Sequence, residues 1–205
     1  MKTIICRILP LLAIALVLEV VSGSAAAQDN STFAVTYYSN ANTTGAPDAT
    51  VRVINDGNTG PSGDSSPGDL CAAFYVFDDS QEMQECCSCE VSADGLIAES
   101  VNRDLLGNSL TSFVNHRGVI KLVSTSPNPS TGLCDPTAGA ATAGIRGWAT
   151  HIQRATSGYA STETAFHDAN LASAELAGLQ QFCSFEIILG SGRGTCRCGF
   201  EDQAF

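Results

Sequence analysis

LCAAFYVFDDSQEMQECCSCEVS, residues 70–92, is the stretch on which the fold turns. Its first eight residues carry apolar side chains at successive positions, so both faces of an extended chain are apolar, as a strand buried in the middle of a sheet requires. Asp78, Asp79, Glu82 and Glu85 interrupt that run and read as a solvated acidic loop, after which residues 89–92 (CEVS) resume an extended pattern. Cys86 and Cys87 are adjacent, and neighbours rarely reach disulfide geometry without strain, so each is expected to bridge to a distant part of the chain.

Working outward, period-two patterning and Gly, Pro, Asn, Asp and Ser punctuation describe short strands joined by turns. TFAVTYYS (residues 32–39) alternates Phe33, Val35 and Tyr37, and its tandem tyrosines face opposite ways, so one of Tyr37 and Tyr38 is expected to be exposed. ATVRVIND (49–56) sets Val51 and Val53 on one face, and GNTGPSGDSSPGD (57–69) is a polar loop too rich in Gly and Pro for regular structure. Further strands are predicted at 96–102, 118–125, 147–153 and 161–167, with a long loop at 127–144 that Cys134 tethers. One segment changes period: Leu176, Leu179, Cys183 and Ile187 recur at spacings of three and four, with Gly190 just beyond, and predict a helix starting at Ser173. The expected fold is mainly β, a disulfide-stapled antiparallel β-sandwich with one packed C-terminal helix, against the alternatives of a small barrel or an irregular α+β arrangement.

Residues 1–27 have the parts of a secretory signal: basic Lys2 and Arg7, an uncharged run of 11 residues from Ile8 to Leu18, and Ala25, Ala26 and Ala27 before Gln28. A spanning helix needs about 20 apolar residues, so export with cleavage after Ala27 is expected, leaving residues 28–205 as one domain with no membrane span. Loss of Lys2, Arg7 and Glu19 reduces the 10 basic and 21 acidic residues to 8 and 20, a formal net of −12. Such a surface repels polyanions, which argues against nucleic acid as a partner. At 44% hydrophobic and 15% charged, the composition excludes collagen-like, coiled-coil and highly charged disordered chains.

Cleavage also removes Cys6 and leaves Cys71, Cys86, Cys87, Cys89, Cys134, Cys183, Cys196 and Cys198. In an exported chain an even set reads as four disulfides, although the pairing is open. Neither CCSC nor CRC has the CxxC spacing of a structural zinc site, so no metal and no cofactor is expected.

YYSNANTTGAPDATVRVIND, LCAAFYVFDDSQEMQECCSC and ELAGLQQFCSFEIILGSGRGTCRCG together resemble a family of uncharacterised, exported, cysteine-rich bacterial proteins. The resemblance spans most of residues 28–205 and implies secretion and a cysteine framework, with no chemistry attached.

Templates for catalysis fit poorly. Ser191 stands between glycines, but GxSxG is absent and the segment follows a helix, so it reads as a helix end and a turn. His151, His167 and Asp168 could supply three ligands or catalytic groups if their strands pair, without any HExxH-like spacing to support it. Acidic groups gather at Asp56, Asp64 and Asp69 and in residues 78–85, neither cluster matching a calcium loop. The function expected is therefore a non-catalytic structural or ligand-binding module of the cell surface or periplasm. The alternatives are a secreted hydrolase assembled in three dimensions around His151, His167 and Asp168, and a calcium-stabilised surface protein.

Overall fold

A computed structural model describes residues 32–57 and 68–199. The expected signal segment with Cys6, and Asp64 with most of its loop, lie outside the described residues. In chain order the elements are β1 (Phe33–Ser39), β2 (Thr50–Asn55), β3 (Leu70–Asp78), β4 (Met83–Val91), β5 (Leu96–Ser100), a π-helical turn (Val101–Leu105), β6 (Arg117–Thr125), β7 (Ile145–Arg154), β8 (Tyr159–Ala165), β9 (His167–Asp168) and α1 (Ser173–Leu189). They form two antiparallel sheets, one ordered β4-β3-β6-β1-β9 and the other β5-β2-β7-β8. This is the sandwich with one C-terminal helix; the chain does not close into a barrel.

The double apolar face of β3 has a direct structural cause. Leu70, Ala72, Phe74 and Val76 point into the core between the sheets, against Val51, Val53 and Ile152. Ala73 and Tyr75, one step out of phase, point the other way and join Phe33, Val123, Leu179 and Cys183 beneath α1. One sheet face is thus closed by the second sheet and the opposite face by the helix. Of the tandem tyrosines, Tyr38 is buried and donates to the Phe77 carbonyl at 3.1 Å, while Tyr37 is 47% exposed.

The bridges follow the same alternation. On β4, Cys86 faces outward and bonds Cys183 of α1, whereas Cys87 and Cys89 face inward and bond Cys196 and Cys198 of the C-terminal tail. The tail runs along the β4 edge, with a parallel bridge between Cys86 and Thr195, and so covers backbone groups that an open edge would expose. Cys71 bonds Cys134 and fastens the 127–144 loop to β3. That loop is also held by Tyr75, which donates to the Pro136 carbonyl, and by Gln180 of α1, which donates to the Gly139 carbonyl, both at 2.7 Å.

Three sequence expectations need correction. β4 begins at Met83, six residues ahead of the segment read as extended, and pairs with β3 from Phe77↔Met83 to Leu70↔Val91. Glu85 is consequently part of a strand with no exposed area, rather than of an acidic loop in water. On α1 the inner stripe continues from Cys183 to Glu186, and Ile187 is 43% exposed. The segment 161–167 is likewise broken: β8 ends at Ala165, the chain crosses between sheets at buried Phe166, and His167 starts β9 in the other sheet.

Candidate functional site

Two hollows flank the turn between β3 and β4. Asp78 builds that turn: its Oδ1 accepts the Ser80 and Glu82 amides, and its Oδ2 accepts from Gln84 at 2.9 Å. Gln84 is buried, and its Oε1 accepts from the Thr111 hydroxyl at 2.7 Å, which fixes the 107–116 loop against the turn. Between turn and loop lies a cleft of 780 Å³ whose lining includes Asp79, Glu82, Phe113, Val114, His116 and Arg117. Phe113 and Val114 are 80% and 60% exposed at its margin. The arrangement offers apolar contact beside fixed polar groups, as ligand pockets of this size do.

On the other side of the turn, sharing Glu82, is a groove of 500 Å³ walled by Phe77, Met83, Leu110, Phe182, Phe185 and Leu189, with Gln81, Glu82 and Glu186 as its polar members. Glu186 belongs to a pair of buried carboxyls. The Gly194 amide donates to the Asn108 carbonyl, and the Asn108 amide donates to Glu85 Oε1 at 2.7 Å. A Cβ placed on Gly194, at φ +84°, would stand 3.2 Å from Glu186 Oε2. Glu85 and Glu186 therefore lie on either side of this joint, and the Oε2 atom of each is buried without a hydrogen-bond partner. Burial holds Glu85 up at about 7, against the pull of its Asn108 and Ser109 hydrogen bonds. Burial and the neighbouring Glu85 charge hold Glu186 up at about 8.

The sequence-derived candidates fall elsewhere. His151, on β7, is buried, with Nε2 2.7 Å from Thr164 Oγ1 and its ring stacked on Tyr37 at a centroid distance of 4.2 Å. Burial lowers its pKa. β7 does pair with β8, but His167 and Asp168 belong to β9, which pairs with Val35 and Ala34 of β1, and both are exposed. Among the described residues the one group of three His, Cys, Asp or Glu donors within 4.8 Å of one another is Cys87, Cys89 and Cys198, so the two histidines and Asp168 do not form a ligand trio. Those three sulfurs are already in bridges. Ser191 sits exposed in the turn after α1 with φ +49°. The acidic loop residues are engaged locally: Asp79 pairs with Arg117 at 2.6 Å, Asp56 with Arg146 at 3.4 Å, and Asp69 accepts the Ala93 amide at 3.3 Å.

Sequence reasoning missed Gln84, the Glu85–Glu186 pair and the Phe113 margin. The one available signal was a glutamate three residues after Cys183 on the helix face that the cysteine itself marks as inward. No family model, curated protein or solved structure matches this chain. Among the described residues no helix is long and apolar enough to cross a membrane.

Proposed function

We propose that the protein is an exported, non-catalytic binding module that acts outside the cytoplasm, at the cell surface or in the periplasm, and takes its ligand in the cleft between the β3–β4 turn and the 107–116 loop. The carrying observation is that this cleft is rigid where it is polar and exposed where it is apolar. Asp78, Gln84 and Thr111 are committed to one another, while Phe113 and Val114 face water. Exposed aromatic and aliphatic side chains beside a polar floor favour an oligosaccharide or peptide over a compact anion, since Arg117 is already paired with Asp79 and Glu82 adds a negative charge. Eight cysteines engaged in four bridges support an oxidising compartment and leave no described thiol as a nucleophile.

The test is a glycan and peptide array probed with the disulfide-intact protein and with a Phe113→Ser, Val114→Ser variant. Both substituted side chains are exposed, so the variant folds. Binding by the native protein that falls at least tenfold in the variant supports the reading. Equal binding by both, or turnover of an arrayed substrate, defeats it.

A further inference from the structure

The C-terminal half of α1 reverses the usual division between inside and outside: Glu186 is 6% exposed, whereas Phe182, Phe185 and Leu189 are 58%, 50% and 73% exposed. Those three residues fall at i, i+3 and i+7 and form one wall of the groove, across from Phe77, Met83 and Leu110. We infer that this groove binds a small apolar cation, an ammonium group carried on a hydrocarbon body, with Glu186 as its counter-ion and Glu82 at the mouth.

Three observations converge on that occupant. The groove volume of 500 Å³ lies in the range of small-molecule sites, about 300–1,000 Å³. Its lining holds two carboxyls and no basic side chain, within a chain of formal net charge −11, so charge complementarity selects a cation. Behind it, two buried carboxyl oxygens, Glu85 Oε2 and Glu186 Oε2, have no partner. A buried, unsatisfied carboxyl pair is relieved by a proton or by an incoming positive charge, and Glu186, the member of the pair that lines the groove, is the one a cation bound there would meet. Phe182 and Phe185 line the groove with aromatic rings, which attract a cation more than aliphatic walls do. An anion meets two carboxyls, and a neutral alkane leaves the pair unrelieved. This site stands apart from the 780 Å³ cleft, and its test does not depend on that reading.

The experiment titrates the disulfide-intact protein at pH 8 with octylammonium, octanol and octanoate in a calorimeter, with light scattering on the same samples. Octylammonium should bind at least tenfold tighter than octanol, and octanoate should not bind measurably. Glu186→Gln should abolish that preference while octanol binding stays within twofold. Glu82→Gln, at an exposed position that leaves the fold intact, should weaken octylammonium about twofold to fivefold. Octanol matching octylammonium on the native protein, or a preference that survives Glu186→Gln, overturns the inference. So does failure of all three probes, and if scattering then shows a dimer the groove passes to a second copy of the chain.

Discussion

Glu85, Glu99 and Glu186 are carboxyls placed where a soluble domain normally puts leucine, and the consequence is measurable as pH dependence. Burial is the main cause of elevation in all three, with Glu85 and Glu99 held near 7 and Glu186 near 8 against an ordinary value of 4.5. A carboxyl whose folded pKa exceeds its unfolded one keeps its proton in the native state after the unfolded chain has lost it. Stability from these groups is complete below about pH 4.5 and declines as pH rises toward 8. The melting temperature should therefore be higher at pH 5 than at pH 8.5, and Glu186→Gln should shrink that difference. A melting temperature that climbs across the same interval would show that the pair is ionised and compensated in the native protein.

At the scale of elements, α1 separates packing from exposure along a single helix. Leu179 is buried under β3 and β6, so Leu179→Ala removes a packed side chain and should cost about 2–5 kcal/mol. Ile188 is 71% exposed, and Ile188→Ser should change stability by no more than about 0.5 kcal/mol. Urea unfolding with the bridges intact compares the two, and similar losses for both would mean that the outer face of α1 is covered in solution. The same contrast explains what was readable in advance. β1, β2, β3 and the start of α1 were legible because their burial repeats locally, at two or at three and four residues. β4 was not, because Gln84 and Glu85 look like loop residues until Thr111, Asn108 and Ser109, 23 to 27 positions away, donate hydrogen bonds to their side-chain oxygens. The carboxyl pair was hidden for the same reason: its members are 101 residues apart and meet only when Cys86 and Cys183 join β4 to α1. His151, His167 and Asp168 were grouped on the condition that their strands pair, and the crossing at Phe166 instead leaves His151 on β7 and carries His167 and Asp168 to β9, beside β1 in the other sheet.

For the whole molecule, the bridges tie the outer face of the first sheet to α1 and the 127–144 loop, and its β4 edge to the C-terminal tail. Each contributes about 2–4 kcal/mol, so four together are comparable with the entire net stability of a typical domain. Alkylation of the untreated protein should label none of the eight cysteines of residues 71–198, and the intact mass should rise by eight hydrogens on reduction. Reduction should also abolish the cooperative melting transition; persistence of that transition in the fully reduced chain would assign stability to the apolar core alone. An ordinary two-sheet core accompanies these bridges, and residues 70–92 anticipate both, since one strand carries the double apolar face and its partner carries three of the eight cysteines.

Residues 184–195 leave one half-cystine at Cys183 and return to another at Cys196, and the partners of these two, Cys86 and Cys87, are neighbours on one strand. Arg193 is exposed in the turn of that excursion, while Gly194 after it is buried and bonded to Asn108 and Cys86, so a protease reaches the bond between them only on local opening. Trypsin cleavage after Arg193 would add one water and release nothing: the nicked chain would travel intact through a non-reducing gel and come apart only in thiol. In a compartment rich in hydrolytic enzymes, such a molecule outlives its own scission.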